Sequence, residues 1–196
     1  MGDIAALILA ADRGVDFATA AALQVFRGRP LLQSSLERVG HWPVDRTVVV
    51  LGADEEEVMD TLDFGNCTVV IDPEWQEGSA SPLRAGLDHL LREVGISTVI
   101  LADVSQVVFD ADVVGNLLTA ADSERSWAVV AKYRYEWAMP YLIGIDLWPQ
   151  LLGREGDAGI ERLLKAHPDW VHEMYLDAPR PLTITHIEDL SAPRRS

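Results

Sequence analysis

The chain has 196 residues, 48% hydrophobic and 24% charged, which suffices for one folded domain with a sizeable core. Its formal net charge of −15 repels phosphate backbones, so nucleic acid and anionic membrane are poor partners. Cys67 is the only cysteine, which excludes an internal disulfide and a cysteine metal site; it reads as a buried, inert thiol.

The apolar run at 4–11 reads as a first, buried strand. It is too short to span a bilayer and lacks the cationic start of a secretory signal, so a cytoplasmic protein is expected. The loop after such a strand usually shapes the ligand site in an α/β protein. Here it is Asp12-Arg13-Gly14-Val15-Asp16, with two carboxylates and, as far as Leu23, the single cation Arg13. A helix is predicted over 31–39 after Pro30, a residue suited to a first helical position. A strand at 47–51 precedes a helix at 55–62, for which Asp54 is the expected N-cap. A strand at 68–71 precedes a helix at 82–94, with Ser81 as expected N-cap and Pro82 in the first turn. A strand at 98–102 leads to a helix at 113–121 that starts after Asp110 and Asp112. Strands at 127–131, 141–144 and 171–175 and a helix at 160–166 complete the pattern. The segment 133–137 leaves no room for a helix between two strands, which predicts an antiparallel addition to the sheet.

Strands alternating with helices indicate crossover units and a mostly parallel sheet. The continuous apolar character of the early strands is what helices on both faces require. The expected architecture is therefore a single three-layer α/β domain over residues 1–196, mostly parallel with an antiparallel addition.

Asp103 ends the fourth strand, where open parallel sheets bind ligands. It could hold Mg²⁺ between nucleotide phosphates, or simply cap its own turn. Gly78-Ser79-Ala80-Ser81-Pro82-Leu83 is a small-residue loop whose backbone N–H groups could meet an anion or a base edge. Gly156-Asp157-Ala158-Gly159 reads as a tight turn with Asp157 as helix cap. The histidines at 41, 89, 167, 172 and 186 show no ligand spacing. The six tryptophans are scattered, and neither a strand-elbow serine nor a phosphate loop of the lysine type is present.

From Ile4 to Leu190 the chain resembles the MobA/MocA-like nucleotidyltransferases, above all the molybdenum cofactor cytidylyltransferase branch. Leu9-Ala10-Ala11 and the loop after it match the family's L-A-A-G-x-S-x-R-M-G-x-x-K in length, and Arg27-Gly28-Arg29-Pro30-Leu31-Leu32 matches its G-x-P-L-L segment. The most specific match is Asp72-Pro73-Glu74-Trp75-Gln76-Glu77-Gly78-Ser79-Ala80-Ser81-Pro82-Leu83-Arg84-Ala85-Gly86-Leu87, similar to N-P-x-W-x-x-G-x-x-S-S-L-x-x-G-L. Leu101-Ala102-Asp103 falls on the L-G-D metal motif, Gly156 to Gly159 on a G-D-x-G turn, and His186-Ile187-Glu188-Asp189-Leu190 on T-P-E-D-L. The resemblance implies an NTP and Mg²⁺ bound by a Rossmann-like domain that transfers a nucleotidyl group to a phosphate such as that of molybdopterin. It implies substrate contacts at Leu9, Ala10, Ala11, Asp12, Gly78, Ser79, Ser81 and Asp157, with Asp103 as the metal ligand.

The departures fall where charge is neutralised. Asp12 replaces the loop glycine, Asp16 the arginine and Ala21 the lysine. Ala102 and Ser105 replace the glycine and proline around the metal aspartate, and Ala138-Met139-Pro140 stands for G-H-P. Thr183-Ile184-Thr185 stands for the closing D-x-D, leaving Asp103 without its second carboxylate. At an effective dielectric near 20, unit charges about 4 Å apart interact by roughly 4 kcal/mol, whereas micromolar affinity corresponds to about 8 kcal/mol. Two such inversions and a lost lysine predict an eroded site without standard CTP:molybdopterin cytidylyltransferase activity. Such a descendant would bind a nucleotide, a pterin-like ligand or a protein partner. An alternative is an active nucleotidyltransferase in which Arg13, Arg27, Arg29 or Lys132 replaces the lost cations and Asp12 and Asp16 bind extra metal. A further alternative is different chemistry on the same scaffold, such as a redox reaction on a heteroaromatic compound.

Overall fold

The structure is a computed structural model that describes residues 2–108, 112–123, 126–153 and 159–192. In chain order its elements are β1 (Asp3–Ala10), β2 (Val25–Phe26), β3 (Arg29–Pro30), α1 (Leu31–Val39), β4 (Arg46–Leu51), α2 (Glu55–Thr61), β5 (Thr68–Ile71), α3 (Ala80–Leu90), β6 (Ile96–Asp103), β7 (Gln106–Val108), α4 (Val113–Ser123), β8 (Ala128–Tyr133), β9 (Glu136–Gly144), α5 (Trp148–Leu152), α6 (Ile160–Ala166), β10 (Val171–Leu176) and β11 (Leu182–Thr183).

Seven strands form one sheet in the order β10-β8-β9-β6-β1-β4-β5. β1 is central and pairs in parallel with β4 and β6. Successive side chains of β1 point to opposite faces. Ala6, Ile8 and Ala10 join a core with α1, α2 and α4, through residues such as Leu32, Val58 and Leu117. Ala5 and Leu7 join a second core with α3, α5 and α6, through Leu87, Trp148 and Leu164. Both faces are thus covered, which is why this strand carries no polar alternation. The contact with α3 is close because residue 86 is glycine: a Cβ there would lie 2.5 Å from Leu7.

The predicted antiparallel strand is present and sits inside the sheet. β9 runs antiparallel to both β6 and β8, and β10 then pairs in parallel with β8 at the edge. The β8–β9 hairpin turns at Arg134 and Tyr135, with Arg134 in the left-handed region at φ 55°. Packing of Ala138, Tyr141 and Ile143 extends β9 well before the predicted 141–144.

Three local expectations are corrected. The third helix starts at Ala80, and Ser79 precedes it without a side-chain cap. Ser81 is buried inside the first turn, and its hydroxyl donates to Asp72 Oδ1 at 3.0 Å. Asp54 occupies the N-cap position of α2 at φ 50° but makes no cap bond; its carboxylate is used elsewhere. Cys67 is half-buried rather than buried, and burial still pushes its thiol pKa up. Asp110 and the Gly156-Asp157-Ala158 turn lie outside the described residues. Among the described residues no helix is long and apolar enough to cross a membrane.

Candidate functional site

The carboxyl ends of β1 and β6 open into a pocket of about 300 Å³. Its wall includes Leu9, Ala11, Asp12, Arg13, Gly14, Gly78, Ser79 and Asp103, closed by Trp75, Gln76 and Pro82. Leu9, Ala11, Asp12, Gly78, Ser79 and Asp103 thus come together from three separate segments. Ala10 does not line the pocket: it is 1% exposed and faces the α1 side of the sheet. Ser81 does not line it either, and Asp157 lies outside the described residues. Gly159, next to that turn, comes so near Ser79 that a Cβ on it would lie 3.0 Å from the Ser79 hydroxyl.

Asp103 serves its own turn and the pocket together. Its Oδ1 accepts from the Ser105 N–H at 2.7 Å and from the Ser105 hydroxyl at 2.6 Å. Burial pushes its pKa above the ordinary carboxylate range; the Ser105 bonds oppose this, and the charge of Asp12 adds to it. Two carboxylates therefore act on one another across this pocket, and ionising both carries an energetic cost.

The loop after β1 is held by carboxylates of the chain itself. Asp12 Oδ1 accepts from the Gly14 N–H at 2.9 Å. Asp54 Oδ2 accepts from the Ala20 N–H at 2.7 Å, and the same carboxylate takes the Arg13 guanidinium at 2.5 Å. That hydrogen bond raises the Arg13 pKa and lowers that of Asp54. Asp16 turns away from the pocket, where Oδ1 accepts from the Ile187 N–H at 2.8 Å. The Val15 N–H donates to the Thr185 carbonyl at 2.9 Å, so the closing 183–187 segment is stitched onto this loop. Ala21 is 1% exposed and contributes to the core rather than to the pocket wall. Of the two predicted charge inversions, only Asp12 faces the pocket.

Gly14, Trp75, Gln76 and Pro82 are pocket residues that the sequence did not mark, whereas Arg13 was expected there only as a replacement cation. Trp75 had a legible signal, since it stands inside the most specific motif. Its seat has a physical cause in Gly52, just past β4, where a Cβ would lie 2.6 Å from the indole side chain. The Arg13 guanidinium lies 5.8 Å from the centre of that ring. A second hollow of about 220 Å³ shares Leu9, Ser79 and Asp103 with the pocket and continues past Tyr141, Trp137 and Met139 to Glu161 and Arg180.

A family model for the MobA-like NTP transferase domain matches residues 6–171. The chain belongs to that family. No curated protein matches its sequence. Among solved structures it is similar to a Mycobacterium tuberculosis Rv0371c homolog from Mycobacterium sp. strain JC1, at 22% identity and TM-score 0.83, covering 95% of this chain and 92% of that one. It is similar to Rv0371c from M. tuberculosis H37Rv in complex with manganese, at 18% identity and TM-score 0.81, covering 95% of each chain. It is also similar to a nucleotidyl transferase from Methanothermobacter thermautotroptrophicus, at 18% identity and TM-score 0.75, covering 95% of this chain and 94% of that one. The fold is thus the Rossmann-like nucleotidyltransferase fold.

Family resemblance implies a divalent cation, and the residues present fit one. Asp12 and Asp103 offer hard oxygen donors to a single pocket. Mg²⁺ is commonly held by one or two carboxylates, with phosphate oxygens and water completing its shell. Among the described residues no group of three or more His, Cys, Asp or Glu could hold a metal, so an ion here would depend on its ligand for the remaining donors.

Proposed function

We propose that this MobA-like NTP transferase family member has lost standard CTP:molybdopterin cytidylyl transfer while keeping the ligand pocket. The supporting observation is the carboxylate of Asp12. It stands on the pocket wall, occupies the Gly14 amide and adds its charge to Asp103. A backbone N–H that would meet an anion is already satisfied, and the atom satisfying it is itself anionic. Among the described residues the cation on that wall is Arg13, and it is bound to Asp54. In this reading the protein acts in the cytoplasm on a small nucleotide or pterin-like ligand, or engages a protein partner. Its net charge of −15 argues against nucleic acid and membrane surfaces. Calorimetry with CTP or GTP and Mg²⁺ is the direct test. No detectable binding is expected, and micromolar binding of either nucleotide overturns the reading.

The same two carboxylates favour a second reading, an active nucleotidyltransferase with altered residues. Asp12 and Asp103 would hold the divalent cation, and Arg13 would leave Asp54 for a phosphate oxygen. A bound ion would supply charge neutralisation on the phosphates. Asp103, half-buried at the strand end, would orient it, and Trp75 would close the pocket against water. In this reading Mn²⁺ alone stabilises the protein against heat and Asp12→Asn removes that effect. Equal responses of both proteins to Mn²⁺ exclude it.

A further inference from the structure

The two outer strands of the sheet are unlike each other. β10 ends one side and carries Glu173, paired with Lys132. β5 ends the other side and, among the described residues, pairs only with β4. Its sequence Thr68-Val69-Val70-Ile71 has no charged side chain and no proline, and its register with β4 has no bulge. We infer that the free edge of β5 receives an extended, lysine- or arginine-bearing segment of a partner protein as an added strand. Occupancy of this edge does not depend on how the Asp12 pocket is read.

Backbone groups on this edge are placed to pair. Asp72, just past β5, donates its N–H to the Leu51 carbonyl of β4 at 2.8 Å. Alternation along a strand therefore turns the N–H and C=O of Val70 toward β4 and those of Val69 and Ile71 outward. The outer side is also open. Thr68, Val69 and Val70 are half-buried and Ile71 is 40% exposed, whereas Val48, Val49, Val50 and Leu51 of β4 are fully buried. Proteins commonly block such an edge with charges, prolines or bulges in the strand itself, and β5 has none of these. Addition of an extended segment to an open sheet edge is a general mode of peptide recognition, with main-chain hydrogen bonds supplying affinity.

Charge around the edge decides what can occupy it. Between Arg46 and Arg84 the sequence has nine carboxylates and no lysine, arginine or histidine, and β5 lies inside that stretch. α2 leads into β5 and packs on the sheet through Val58, on the same face as Val69. It carries Glu56, Glu57 and Asp60, and Asp63 follows it. All four are exposed, and among the described residues none of them enters an ion pair. Two copies of this chain joined through β5 would bring both sets of carboxylates together, and juxtaposed like charges are costly. The same charges attract a strand with cations at alternate positions. Its cationic side chains fall on the α2 face, while the residues between them fall on the face of Val70, which packs against the second core.

Amide hydrogen exchange on the full chain, without nucleotide or metal, tests this with a short synthetic peptide alternating lysine and valine as the probe. The peptide is expected to slow exchange at the Val69 and Ile71 amides by about tenfold or more, and less so as salt rises. A peptide with glutamate in place of lysine is expected to protect neither amide, and so is the lysine peptide with every backbone amide N-methylated. The triple variant Glu56→Gln, Glu57→Gln, Asp60→Asn changes exposed side chains only, and it is expected to weaken the lysine peptide by about tenfold. Failure of the lysine peptide to protect these two amides overturns the inference. Equal protection by the N-methylated peptide overturns strand addition, and equal protection by the glutamate peptide, or undiminished protection in the triple variant, overturns the role of charge. Protection that appears without peptide and grows with protein concentration makes a second copy the occupant and overturns the basic partner. Since no nucleotide or metal is present, failure here is separate from failure of the readings of the Asp12 pocket.

Discussion

Two ends of one sheet edge differ in electrostatic make-up, one acidic and one with cations and carboxylates in balance. At the β1 end, Asp12 and Asp103 share a pocket in which, among the described residues, the cation is Arg13, tied to Asp54. At the β8 and β10 end, Lys132, Lys165 and Arg180 line a hollow with three carboxylates. The backbone frame is common to both, because β6 and β9 run continuously between them. The difference shows that the apolar sheet and the charges on its rim are set by separate residues. A fold of this family can keep the first while redistributing the second.

The largest expected effect breaks both ends together. Leu101 is fully buried in β6, between the two regions. Leu101→Ala should cost about 2–5 kcal/mol in unfolding free energy, measured by urea titration. If the cost falls below 1 kcal/mol, β6 is not the shared frame. A smaller effect sharpens the contrast in charge. Asp12→Gly removes the carboxylate from the β1 pocket and frees the Gly14 amide. It should give CTP binding in Mg²⁺ that calorimetry detects, where the unaltered protein shows none. A variant that still binds no CTP breaks the comparison.

The smallest effect is on pH dependence. The Asp103 pKa is raised in the folded protein, so folding favours its protonated form. Its ionisation then costs stability, fully at pH values above the raised pKa and not at all below the unfolded value of about 3.9. Asp103→Asn should therefore raise the melting temperature at neutral pH, and the difference should shrink as the pH falls toward the carboxylate range. A gain that is constant across pH would assign the effect to packing instead.

Much of the fold was legible because periodicity is local. The parallel strands announced themselves as apolar runs, and 133–137 was too short for a helix, so a hairpin followed. That β9 would be inserted between β6 and β8 was not legible, since nothing in a strand's own residues says which edge it meets. The candidate site was legible in part. Asp103, Asp12, Leu9 and Ser79 stood in motifs at strand and loop ends, and they converge. Asp16 looked like a second charge on the pocket, yet it binds the Ile187 amide, 171 residues away. Ser81 looked like a helix cap, yet it braces Asp72. Short polar side chains have several partners within reach, and distant chain segments decide among them.

By itself the amino-acid sequence determined the family, the alternation of strand and helix, and the strongly acidic character of the chain. Those properties are carried by runs of residues and by composition, and they survive any rearrangement of partners. Tertiary structure alone decided which carboxylates face the pocket, which ones tie down a loop, and that both lysines meet at one hollow. These are matters of distance between groups far apart in the chain, and electrostatic interactions depend on that distance rather than on order along the backbone.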